Sequence, residues 1–178
     1  MVILSFLFLV LPVNWLFSMI FAAAFHEMCH YVSIRMTGND VVFLTITGHG
    51  VVMQTTPLSA VQECLCALAG PMGSMLLFLC YPVIPRISIC AGVQGIFNLL
   101  PVYPLDGGRI INSLLGIFLS EHIAKRICSW IEWIVYLLIF TSGLLAAIYC
   151  RLGILPVFVS MIVVFRGLSE KFLAKRIN

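Results

Sequence analysis

Polarity falls along this chain as long apolar blocks separated by short polar punctuation. Residues 1–25 contain no Lys, Arg, Asp or Glu. The pattern predicts a helix over 13–36 that carries His26-Glu27-Met28-Cys29-His30 in its second half, with Arg35 and Gly38 marking its exit. Residues 2–11 precede Pro12 and are too short to cross a bilayer alone, so they extend that helix or form a re-entrant start. A second span is expected over 59–81, closed by Pro82 and Pro85. A third begins near Ile87, reaches Leu100, is interrupted by Pro101 and Pro104, and resumes from Asp106 to Leu119. Two more cover 127–149 and 153–168. Only Val41 to Thr56 reads differently: β-branched runs at 41–47 and 51–55 flank Gly48-His49-Gly50, the signature of a hairpin with a short glycine turn.

Composition turns these blocks into membrane spans. The chain is 62% hydrophobic and 10% charged, with mean hydropathy +1.12, more apolar side chain than a soluble domain of 178 residues can bury. The expected fold is an all-α polytopic membrane protein of about five to six transmembrane helices with a small membrane-associated β-hairpin. One domain is expected over 1–178: a core at 13–120, C-terminal helices at 127–168, and a basic tail at 169–178 resting on anionic head groups. A cleaved signal peptide is rejected, because residues 1–25 lack a charged start and cleavage near Ala22-Ala23-Ala24 would remove the helix bearing the histidines.

The net charge of +3 does not point to nucleic acid, since the basic residues flank apolar segments instead of forming a face. They do orient the chain. If the first span ends at the cytoplasm, alternation places Arg35, Arg109, Lys125, Arg126, Arg166, Lys171, Lys175 and Arg176 inside, against Arg86 and Arg151 outside. The histidine motif then lies nearer the cytoplasmic face of a multi-pass cell-membrane protein. The seven cysteines give no disulfide framework, and the Cys64-Leu65-Cys66 pair reads as packing.

Candidate chemistry centres on residues 26–30. Positions i and i+4 share a helix face, so His26 and His30 can turn to one metal ion, and Glu27 lies where a carboxylate could take a proton from a metal-activated water. Ionisable groups at membrane depth are costly and mark function. Catalytic zinc takes three protein ligands and a water, so a third donor comes from Asp40, His49, Glu63, Asp106, Glu121, His122, Glu132 or Glu170. Asp106 stands out, because Asn98 to Arg109 holds two prolines and two glycines, and broken backbone at membrane depth suits a polar cavity. The competing reading makes Asp106 a helix N-cap in a glycine turn. Cys29, at i+3 from His26, reads as a small packing thiol, with a zinc contact the alternative. Glu132 reads as structural, facing a bundle interior or reaching the interface.

His26-Glu27-x-x-His30, then Ala69-Gly70-Pro71, then Asn98-x-x-Pro101 leading to Leu105-Asp106-Gly107-Gly108, resembles the site-2 protease family of intramembrane zinc metalloproteases, most closely its compact sporulation-type branch. The resemblance covers roughly residues 13–120. It implies one catalytic Zn2+ held by His26, His30 and Asp106, with Glu27 as catalytic base and Asn98 helping to hold substrate or oxyanion. It also implies a bacterial source and a membrane-tethered regulatory protein as substrate. Neither a CBS nor a PDZ domain is expected, because only ten residues follow the last span, so control falls to a separate membrane regulatory protein or a prior cleavage of the substrate. The hairpin would offer a strand edge to an extended substrate. A membrane metal transporter and an inactive protease-like scaffold are the alternatives.

Overall fold

The computed structural model describes residues 12–47 and 50–149, together with 157, 160–162 and 164–165. The expectations for residues 2–11, His49, Glu170 and the basic tail lie outside the described residues, as does most of the span expected over 153–168. The chain divides into two compact units, Met1–Leu99 and Leu100–Asn178.

In the first unit, α1 spans Val13–Met36, the range expected from the polarity pattern. Pro12 opens it at the N-cap, where no N–H is needed. Its end is a Schellman motif: Gly38 takes φ +79° and its N–H donates to Arg35 O, while Asn39 N–H donates to Ile34 O. Strands β1 (Val41–Thr47) and β2 (Gly50–Thr55) then pair antiparallel, out to Thr47 opposite Gly50. A bulge between Val41 and Phe43 leaves Val42 as the extra residue. Arg35 pairs with Asp40 at the entry, and Thr56 Oγ1 donates to Asn39 Oδ1 (3.1 Å), closing the hairpin base.

Helix α2 (Ala60–Leu79) starts in a capping box: Ser59 Oγ accepts from Gln62 N–H, and the Gln62 side chain accepts from Ser59 N–H. Helix α3 (Pro85–Asn98) begins with proline at its first position. The three helices approach closely because their contact faces are made of small residues. Ala22, Ala67 and Ala91 are fully buried, Ser88 Oγ donates to Leu77 O (2.9 Å), and Gly92 receives the Phe78 ring.

The second unit holds α4 (Asp106–Phe118) and α5 (Glu121–Tyr149). Helix α5 starts six residues before the expected 127, because the Glu121–Lys125 ion pair (2.5 Å, i,i+4) carries its first turn through the basic residues. Its buried residues, Ala124, Glu132, Tyr136 and Gly143, form one stripe, while Trp130, Trp133, Leu137 and Leu138 are exposed on its flanks.

The fold is therefore mostly helical with one small antiparallel sheet, as expected. The five to six spans are a different matter. Among the described residues two helices are both long and apolar enough to cross a membrane, α2 and α5. Helix α1 is long enough, at 24 residues, but its apolar run ends in the His-Glu-His cluster. The interrupted third span is two separate helices of 14 and 13 residues, each about 20 Å long and short of a ~30 Å hydrocarbon core.

Candidate metal centre

The i,i+4 spacing sets His26 and His30 on one face of α1, and both are buried, at 1% and 7% exposure. What fixes their rings comes from α2. His30 Nδ1 lies 2.7 Å from the Cys66 carbonyl oxygen, which can only accept, so Nδ1 carries the hydrogen and Nε2 presents its lone pair. His26 Nδ1 lies 2.9 Å from Ser74 Oγ, and Asn98 Nδ2 stands 3.1 Å from His26 Nε2. Both imidazoles thus turn Nε2 to the same point, and the two nitrogens are 3.2 Å apart. Two lone pairs at that distance are stable only with a cation or a proton between them. Two imidazole nitrogens on a tetrahedral zinc, each about 2.05 Å from it, lie about 3.3 Å apart. The donor pair fits zinc.

Room for the rings is made by Gly70. A Cβ there would stand 2.7 Å from His26 Nε2 and closer still to His30 Nε2. The Ala69-Gly70-Pro71 motif therefore has a steric cause: α2 drops a side chain where the rings meet it, and the adjacent Pro71 is itself fully buried. One turn on, Gly73 accepts the Cys29 sulfur, which places Cys29 in the helix packing. Glu27 is half-buried beside the pair.

In the second unit Asp106 is buried (7% exposed) at the first position of α4. The N-cap is Leu105, which makes no side-chain cap, so Asp106 is not the capping residue. A carboxylate at this position faces the positive end of the helix, and Arg109 Nη1 lies 3.8 Å from its Oδ1. Gly108 is required by the loop before it: a Cβ there would come within 2.6 Å of the Val102 carbonyl carbon and 2.7 Å of Tyr103 N. Tyr103 N–H in turn donates to Glu132 Oε1 of α5 (3.0 Å). Of the other candidate ligands, Asp40 is engaged with Arg35 and Glu121 with Lys125.

Ser74, the Cys66 carbonyl and the Glu132 contact were not singled out from sequence as parts of a site. A serine next to Gly73 in a helix of small residues carries no pattern of its own, and a backbone acceptor has no residue type. For Glu132, the signal was an acidic residue inside a 29-residue apolar helix.

Two buried imidazoles whose Nε2 atoms converge could hold a transition-metal ion. Comparison with known proteins agrees. The Peptidase family M50 model matches residues 83–142, a segment that includes Asn98, Asp106 and Glu132. A zinc metalloprotease of Methanocaldococcus jannaschii, MJ0392, is 26% identical over 174 residues, covering 87% of this chain and 49% of its own length. The chain thus spans about half the length of that curated relative. The solved site-2 protease from the same organism superposes with a TM-score of 0.65 at 21% identity, over 86% of this chain and 76% of that one, a likeness of fold. The resemblance read from the motifs agrees with these matches: residues 83–142 match the Peptidase family M50 model, and the fold is similar to that of the solved site-2 protease. Zinc is the metal that the family implies.

Proposed function

We propose that this protein is an intramembrane zinc metalloendopeptidase of the site-2 type, in which His26, His30 and Asp106 hold one Zn2+ ion and Glu27 is the catalytic base. The observation that carries the reading is the convergence of the two Nε2 atoms, 3.2 Å apart, with each Nδ1 held from behind. Asp106 is the third ligand in this reading because it is a buried carboxylate at a helix start, within the segment matched by the protease family.

Bound there, the zinc ion would supply Lewis acidity, activating a water and polarising the scissile carbonyl. The chain's own residues do the rest. Glu27, next to His26 on the same helix, accepts the attacking water's proton and returns it to the leaving amine. The Ser74 hydroxyl and the Cys66 carbonyl hold the imidazoles in the tautomer that leaves Nε2 free for metal. In this reading the Asn98 amide, 3.1 Å from His26 Nε2, donates to the oxygen that gains charge in the tetrahedral state. The hairpin is a two-stranded ribbon, so a substrate unwound from its helix can add to an outer edge.

The substrate in this proposal is a membrane-tethered regulatory protein, cut in or near its transmembrane segment under the control of a separate membrane partner. In this reading the site lies nearer the cytoplasmic face of a multi-pass protein, which the eight-to-two bias of basic residues supports if the expected spans alternate, and the sporulation-type motifs suggest a bacterial host. The test is zinc content and cleavage of a tethered model substrate in detergent. Glu27→Gln should keep stoichiometric zinc and lose cleavage, and Asp106→Ala should lose both. Cleavage by Glu27→Gln at the wild-type rate would overturn the protease mechanism, and wild type that binds zinc without cutting would favour a transporter or scaffold.

A further inference from the structure

Glu132 is an acidic side chain buried to 4% exposure on a helix long and apolar enough to cross a membrane. Such a group is expensive to keep at membrane depth and is retained for what it holds. Its Oε1 accepts the Tyr103 N–H at 3.0 Å. That amide lies in the segment 99–105 that joins α3 to α4, where Pro101 and Pro104 carry no N–H. Because Pro104 follows it, Tyr103 is biased to extended backbone and away from the helical conformation that would pair its N–H within a helix. The segment is otherwise tied by two short turns, Val102 N–H to Leu100 O (2.7 Å) and Leu105 N–H to Val102 O (2.9 Å). Asp106 follows three residues after Tyr103, and Gly108 packs its bare Cα on Val102 and Tyr103. The position of the Asp106 carboxylate is thus set by where the 102–103 backbone lies, and the Glu132 side chain reaches that backbone from α5.

We propose that Glu132 is a positioning residue: by accepting the Tyr103 N–H it holds the proline-broken loop, and through it fixes Asp106 for the metal. This rests on the assignment of Asp106 as a zinc ligand. A glutamate suits the task because its carboxyl oxygen, at the end of a two-methylene arm, reaches the Tyr103 N–H from α5. A glutamine retains an acceptor oxygen at the same reach, whereas alanine removes it.

The experiment is peptide-level hydrogen exchange of the full chain in detergent, with zinc affinity measured on the same samples, for wild type, Glu132→Gln, Glu132→Ala and Asp106→Ala. Protection of α1 and α2 reports that each variant is folded. Should Glu132→Ala fail that check, Glu132→Asp, one methylene short, takes its place. Glu132→Ala should lose protection over 102–106 and bind zinc 10- to 100-fold more weakly, as expected when a group orienting a ligand is removed. Glu132→Gln should restore the protection and most of the affinity. Unchanged protection at 102–106 in Glu132→Ala overturns the proposal. So does lost protection with unchanged zinc affinity, provided that Asp106→Ala itself weakens zinc. If Asp106→Ala leaves zinc affinity intact, the ligand assignment falls, and the 102–106 protection alone then decides whether Glu132 anchors the loop.

Discussion

The two units prepare their chemistry in opposite ways. In Met1–Leu99 the histidines sit on a helix packed against α2, where Gly70 makes room for the rings and Ser74 and the Cys66 carbonyl contact their Nδ1 atoms. In Leu100–Asn178 the aspartate follows an irregular, proline-broken segment held by two turns and one side-chain acceptor. A helix pair admits two rings where a side chain is absent, and hydrogen-bond partners on the same helix then hold them. A loop needs a dedicated hydrogen bond to be anywhere in particular. The first half should therefore fail by steric overfilling, and the second by loss of a tether.

The sharpest way to break this contrast is Gly70→Ala. A methyl within 2.7 Å of His26 Nε2 forces the ring pair apart, and a displacement near 1 Å at a catalytic centre costs about 100-fold or more in rate. Stoichiometric zinc should be lost too, while hydrogen exchange over 100–110 stays as in wild type. Next comes Ser74→Ala, which removes the partner of His26 Nδ1 without changing volume much. Zinc affinity should fall about 10- to 100-fold, measured by competition with a chromophoric chelator. Ser59→Ala breaks the capping box of α2 and should cost about 1 kcal/mol in denaturant unfolding, with zinc binding per folded molecule unchanged. The smallest effect is expected at Gly38, where added atoms meet nothing within 4 Å but φ is +79°. Gly38→Ala should cost about 1 kcal/mol from backbone strain alone and leave cleavage by the folded fraction untouched.

How much of this was legible in the chain follows the same division. Helix α1 and the hairpin were readable because a 24-residue polarity block and two β-branched runs are local patterns. So was the shared face of His26 and His30, since 3.6-residue periodicity decides it. The break within 87–119 was legible too: Pro101 and Pro104 mark it, and helices of 14 and 13 residues fall on either side of it. Asp106 as an N-cap was open on sequence, because an aspartate ahead of two glycines suits a turn, and the structure gives the cap to Leu105. The ring anchors were not legible at all. Ser74 is 48 residues from His26, and Cys66 acts through its carbonyl, so only tertiary packing could reveal them.

The central claim is a zinc ion held by two imidazoles and a carboxylate, with no sulfur. Zinc-edge X-ray absorption on the purified, zinc-loaded protein tests it most directly. The account predicts nitrogen and oxygen neighbours at about 2.0–2.2 Å with the outer-shell scattering of two imidazoles. A zinc–sulfur distance near 2.3 Å would put Cys29 or another thiolate on the metal, and contradict it.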